Sequence, residues 1–230
     1  MDVHEMPGLA HLPFAEVWLH EPDEAALREA SEQARALGKT GLEVWTTKGE
    51  VARLLHGYGY EEVRHYVISE LAVTSATDPG PPALDVATLA ERPVPPEQLY
   101  AIALESYRDQ PGRAETDIGD LNRWRSWGLD PHPPDAYFVV HDGNDVLGYA
   151  YLTPEEGVWT HGFAAVARAH RGRGVVGALK RAQIRWAKER GIAALRTATE
   201  TRLAQMRALN DRFGYRPLYT EIVLRGPAIR

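Results

Sequence analysis

The stretch best equipped for chemistry is Arg168-Ala-His-Arg171-Gly172-Arg173-Gly174-Val175-Val176-Gly177-Ala178-Leu179. It follows a run that reads as a strand, Val158–Val166, and opens the helical stripe Val175, Ala178, Leu179, Ala182 and Trp186. Closely spaced glycines let the backbone curl until successive N–H groups point at one spot. The N-terminus of the following helix adds partial positive charge. Together they make an anion nest of the kind that holds a pyrophosphate. Arg171 and Arg173 can add side-chain charge. Gly172-x-Gly174-x-x-Gly177 also spells the dinucleotide fingerprint, but five residues, Ala167–Arg171, separate the strand from the first glycine. Residue 197 is Thr where that fingerprint needs a ribose-binding acid, and too little chain follows for a doubly wound sheet.

Other residues could move protons. His161 stands on the strand before the loop, and an imidazole ordinarily titrates in the range a general base needs. Glu155 and Glu156 at that strand's entry are the alternatives, with ordered water. Tyr107, Tyr215 and Tyr219 are available phenols, and the sequence does not choose among them. The absence of Cys removes thiol nucleophiles, disulfides and thiolate metal sites. The nine histidines show no metal-ligand spacing, so no metal is expected.

The elements that must position these residues fall into two halves. Thr77-Asp-Pro-Gly-Pro-Pro82 is too rich in proline for helix or central strand, and marks a linker over 77–83. After it the periodicity predicts helices over 97–107 and 117–127. A hairpin of Tyr137–His141 and Val146–Leu152 turns at Asp142–Asp145. The strand, the loop helix ended by Gly191, and a strand–helix–strand follow. The order α-α-β-β-β-α-β-α-β predicts an α/β protein with a mixed sheet.

Residues 1–76 echo the end of the chain. Ala36–Thr46 aligns with Glu189–Thr199 at an offset of 153, and Leu54–Tyr60 with Leu209–Tyr215 at 155. Val67 and Ile68 then fall on Ile222 and Val223. Internal duplication is the expectation. The counterpart of the glycine loop is Leu19–Glu24, acidic and free of glycine, so it should not bind an anion. The echo also lacks the helices and hairpin that should precede its strand.

These residues resemble the GNAT superfamily of acyl-CoA-dependent N-acetyltransferases, whose loop pattern is Gln/Arg-x-x-Gly-x-Gly/Ala. Here it reads Arg171-x-x-Gly174-x-Val176, with the last glycine displaced to Gly177. The resemblance spans 84–226 and the arrangement is similar to tandem members. It implies a GNAT-like fold: a full domain over 84–230, the linker, and a partial, non-binding half over 1–76. It implies acetyl transfer from acetyl-CoA to an amine of a small molecule or peptide. The backbones of Ala164, Ala165 and Val166 would line the pantetheine arm, and Arg171, Gly172, Arg173, Gly174, Val175, Val176 and Gly177 the pyrophosphate. Asn210 stands where many members place a tyrosine acid, and would bind cofactor instead. That departure leaves a catalytically silent acyl-CoA-binding protein as the alternative. Trp124 and Trp127 fall where an acceptor site is often lined.

Charge narrows the partners. The net charge is −6, yet residues 1–83 carry 14 acidic and 6 basic groups while 168–190 set eight bases against Glu189. An acidic protein with one basic stretch does not suit nucleic acid, though it suits a small polyanion. No apolar run is long enough to span a membrane, and Met1-Asp-Val-His-Glu5 does not read as a signal peptide. A cytoplasmic location is expected, and a homodimer is left open.

Overall fold

The computed structural model describes residues 2–5, 8–76, 79–109, 116–155 and 157–230. Local chemistry starts each element. Asp23 caps α1 (Glu24–Ala36) by accepting a hydrogen bond from the Ala25 N–H, and Leu27, Ala30 and Ala34 form its buried stripe. β2 (Phe14–Trp18) runs parallel to β3 (Gly41–Thr46), with the two-residue β1 (Val3–His4) on its outer edge. α2 (Gly49–Gly57) and β4 (Glu61–Ala72) complete the first half.

The second half runs β5 (Asp85–Thr88), α3 (Pro96–Asp109), α4 (Leu121–Gly128), β6 (Tyr137–Asp142), β7 (Asp145–Glu155) and β8 (Val158–Val166). Then come α5 (Val175–Glu189), β9 (Ala194–Glu200), α6 (Ala204–Arg212) and β10 (Arg216–Pro227). β5 is an addition to the expected order; a four-residue edge strand is too short to show a period. α4 begins later than 117, because Asp117 accepts from the Gly119 N–H in a tight turn and Asp120 provides the cap.

The ten strands of the described residues form one mixed sheet, ordered β1-β2-β3-β10-β4-β9-β8-β7-β6-β5. The last strand before the proline segment and the last strand of the chain cross over. β10 pairs with β3, β4 pairs with β9, and the two travelling strands pair with each other. Ile222↔Thr46 through Pro227↔Gly41 matches Val67↔Thr199 through Ala72↔Ala194, residue for residue, under the offsets 153 and 155. Tyr66 faces Glu221, its own counterpart at 155, so a local two-fold passes between them. An ion pair repeats with its charges swapped: Arg225 Nε to Glu43 Oε2 at 2.7 Å, and Arg196 Nε to Glu70 Oε2 at 2.8 Å.

Alternation along the strands sorts the core. Phe138, Leu152 and Leu195 pack under α5, and Leu42, Val44 and Leu224 under α1 and α2, on the same face of the sheet. Tyr137, Val139, Tyr149 and Ala165 pack under α3 and α4 on the opposite face. Trp124 and Trp127 belong to this core; Trp124 is buried and Trp127 meets the edge of Tyr107 at 5.7 Å. The described end of the proline segment lies along α5, where Arg181 donates to the Pro79 carbonyl. Thr77, Asp78 and Glu156 lie outside the described residues.

Candidate active site

The cleft begins where β8 leaves β9. The two are paired in parallel only at Trp159↔Leu195, Thr160↔Arg196 and His161↔Thr197. Beyond His161, β8 stays with β7 alone, through Ala150↔Ala164, Tyr149↔Ala165 and Gly148↔Val166. A bulge between Ala150 and Leu152 helps turn it away. The opened edge therefore presents backbone from Ala164, Ala165 and Val166 without a strand partner on the β9 side. A cleft of about 1610 Å³ occupies the gap and extends to the loop.

At its mouth the chain turns through Gly172 and Gly174, both left-handed at φ +75° and +82°. Gly174 is the N-cap of α5 and brings no capping side chain. The first α5 bond is Ala178 N–H to Gly174 O, so the N–H groups of Val175, Val176 and Gly177 have no intrahelical acceptor. A Cβ at Gly177 would meet nothing within 4 Å, leaving the space above the first turn open. Val176 is half-buried and packs toward the core. The arginines divide the work. Arg171 donates from Nε to Val166 O and pairs with Asp109 at 2.6 Å, while Arg168 clasps the same carboxylate. These two guanidiniums hold the Asp109 carboxyl down at about 2. Arg171 thus fastens the loop to α3, and Arg173 is exposed at the mouth.

The floor of the cleft is polar. His161 Nδ1 lies 3.0 Å from Gln183 Oε1, and its Nε2 is bonded to the Tyr215 hydroxyl. Gln183 Oε1 can only accept, so Nδ1 carries the hydrogen and Nε2 accepts from Tyr215. Desolvation and the neighbouring Lys180 push His161 well below its ordinary range. Lys180 sits over the Tyr215 ring at 4.4 Å, and burial lowers it to about 7. Asn210 is buried and donates from Nδ2 to Thr199 Oγ1 at 2.9 Å, while its Oδ1 has no partner. It has no proton to give a leaving thiolate.

The other wall is built from the first half. Tyr66 on β4 lines the cleft, opposite Glu200 on β9 and Glu221 on β10. Its ring stacks on Trp45 at 5.3 Å, which stacks on Trp18 at 5.6 Å. Glu70 lines the same wall beside Arg196. Burial, and then the charge of Glu155, raise Glu221 to about 7. Glu155 itself is exposed, Tyr107 is stacked on Phe163 in the α3 core, and Tyr219 is exposed on β10. Sequence reasoning missed Lys180, Gln183, Tyr66 and Glu221. The 155 offset already paired Tyr66 with Glu221; nothing in the sequence marked the α5 residues as cleft-lining.

Among the described residues, no group of three or more His, Asp or Glu could hold a metal. No described helix is long and apolar enough to cross a membrane. A comparison with curated protein sequences gives no significant match. Solved structures share the fold. A GCN5-related N-acetyltransferase from Sphaerobacter thermophilus superposes with a TM-score of 0.74 at 17% identity, covering 100% of this chain and 76% of the other. A tandem GNAT protein from the clavulanic acid biosynthesis pathway gives 0.63 at 19%, covering 95% and 76%. A GCN5-related N-acetyltransferase from Kribbella flavida gives 0.61 at 20%, covering 93% and 81%. The Acetyltransferase (GNAT) family profile matches residues 97–215, from α3 to the floor of the cleft, and the chain belongs to that family.

Proposed function

We propose that the protein transfers an acetyl group from acetyl-CoA to an amine of a small molecule or peptide. The observation that carries this is the uncapped α5 N-terminus behind Gly172 and Gly174, set at the mouth of the β8–β9 gap. The N–H groups of Val175, Val176 and Gly177 would hold the pyrophosphate, with Arg173 adding charge from outside. The free β8 edge at Ala164–Val166 would receive the pantetheine as an added strand receives a neighbour. A backbone N–H near Val166 would polarise the thioester carbonyl.

Transfer needs a neutral amine. Its nitrogen attacks the thioester carbon, the C–S bond breaks, and the amide forms. The amine loses one proton and the departing thiolate gains one. A base role for His161 would require the Tyr215 hydroxyl to leave Nε2. Glu221, the ladder partner of the cleft-lining Tyr66, needs no such rearrangement and would reach the amine through water. The Asn210 amide, which holds the hydroxyl of the cleft-lining Thr199, would steady the cofactor through that residue without supplying a proton. This leaves the thiolate to solvent, which is tolerable because CoA is a fair leaving group.

The matched registers and the inverted ion pairs support a duplication, with residues 1–76 as a partial copy, 77–83 as its linker and 84–230 as the acyl-CoA-binding domain. Acetyl-CoA should raise the Tm of the intact chain, since it binds only the folded state. Gly174→Glu should abolish that shift by placing a carboxylate in the nest. An unchanged shift in the variant overturns the site. Thiol release from acetyl-CoA across an amine panel tests turnover. Binding with no release would leave the chain a silent acyl-CoA-binding protein.

A further inference from the structure

The floor of the cleft carries more polarity than an acetyl group requires. Lys180 is 5% exposed, and no carboxylate among the described residues pairs with it. Gln183 is 2% exposed; its Oε1 is bonded to His161, and its Nε2 has no partner. Both side chains line the cleft. The floor therefore offers one amine, which an anionic ligand would hold as the ammonium, and one amide N–H, both largely withdrawn from water and unmatched by an acceptor. A buried amine with no counter-charge, whether held as an ammonium or forced to give up its proton, and a buried unbonded donor are each costly. The Tyr215 ring face offsets part of the first cost. Met or Leu at 180 would extend the apolar α5 stripe and avoid it.

Placement says which part of a ligand these groups meet. Lys180 and Gln183 lie one and two turns beyond Gly177 on α5, past the nest that faces phosphate. His161, bonded to Gln183, marks the point where β8 and β9 rejoin and the gap closes. A thioester carried down the gap brings its acyl end to this floor.

We propose that the floor is a subsite for a carboxylate on the acyl group, so that the preferred donor is the CoA thioester of a dicarboxylic acid. Lys180 and Gln183 Nε2 hold the distal carboxylate, and His161 fixes the Gln183 amide so that Nε2 faces the ligand. The inference rests on the acyl-CoA reading above. The distal carboxylate is unchanged in the transfer: the amine nitrogen still displaces the thiolate and yields a half-amide of the diacid.

The test is direct binding to the full-length protein, with succinyl-CoA, butyryl-CoA and acetyl-CoA as probes. Butyryl-CoA has the same chain length as succinyl-CoA without its charge. Succinyl-CoA should bind about tenfold or more tighter than butyryl-CoA, about what one charge-assisted contact supplies. Lys180→Met should bring that ratio to about twofold or less while raising the Tm, and Gln183→Leu should lower it part of the way. Equal binding of the two thioesters by the native protein overturns the proposal. So does a ratio that survives in Lys180→Met; should that chain not melt cooperatively, a ratio left unchanged in Gln183→Leu overturns the proposal instead. Failure of all three thioesters to bind would instead overturn the acyl-CoA reading.

Discussion

Burial brings two groups to neutrality from opposite sides: Lys180 down to about 7, and Glu221 up to about 7. Between about 7 and its ordinary 10.5, Lys180 holds a proton in the unfolded chain but not in the folded one. Stability should therefore rise with pH across that window, and Lys180→Met should flatten the rise in Tm measured from pH 7 to 9. Glu221 has the reverse sign. Between its ordinary 4.5 and about 7 the folded protein holds a proton that the unfolded chain has lost, so stability falls as pH climbs. Glu221→Gln should be the more stable form at pH 8. The same carboxylate becomes a base only above its own titration, so kcat/KM should rise through about pH 7 and lose that limb in Glu221→Gln. A limb that stays in Glu221→Gln and vanishes in His161→Ala returns the base to His161. His161 was legible in the sequence as the one suitable group near the loop. Its hydrogen bonds were not, because Gln183 and Tyr215 are 22 and 54 residues away. Glu221 was hidden for a stronger reason: it comes beside the cleft-lining Tyr66 only through the pairing of β4 with β10.

The loop and α5 act as one element. Gly172 and Gly174 adopt a conformation that costs other residues about 1–2 kcal/mol, and no neighbour lies within 4 Å of either missing Cβ. The demand is conformational, so even Gly174→Ala should weaken acetyl-CoA binding by misaiming the first-turn N–H groups. The Asp109 clasp is the second control on their aim. Its bonds to Arg168 and Arg171 are exposed, and exposed pairs are worth about 0–1 kcal/mol, so Asp109→Asn should barely move the Tm. It should nevertheless raise the Kd for acetyl-CoA several-fold, because a loosened loop must be ordered on binding. A Kd within experimental error of the native value would make the clasp incidental. The glycine pattern, the strand before it and the stripe after it were local and fully legible. Asp109 was not, since it belongs to a helix whose docking on the loop is a tertiary fact.

At the scale of the whole molecule the offsets of 153 and 155 pointed to a duplication but not to its form, since two separate halves and two halves with exchanged strands would share one sequence pattern. The exchange changes what each half can do alone. α1 is capped by the Asp23 carboxylate, which takes the Ala25 N–H and sets a negative charge where the α5 N-terminus is open, so titration with acetyl-CoA should give one site per chain. The second half would hold that site but lacks the wall made by Tyr66 and the strand between β9 and β10. Removing residues 1–76 would strip both neighbours, β3 and β4, from β10 and uncover Val223 and Leu224, which are fully buried, along with the β9 edge. Burial of one such side chain is worth about 1.5–3 kcal/mol. Two of them, with their ladder bonds, approach the whole stability of a domain, about 5–15 kcal/mol. The fragment from residue 77 onward should therefore fail to melt cooperatively or to bind acetyl-CoA, despite spanning the entire 97–215 family match. Supplying residues 1–76 as a separate chain should restore both, because β4 can enter between β9 and β10 from another molecule. Near-ultraviolet circular dichroism and calorimetric titration read the two properties. A fragment that melts cooperatively and binds acetyl-CoA alone would show that the exchanged strands are dispensable and that the two halves fold independently.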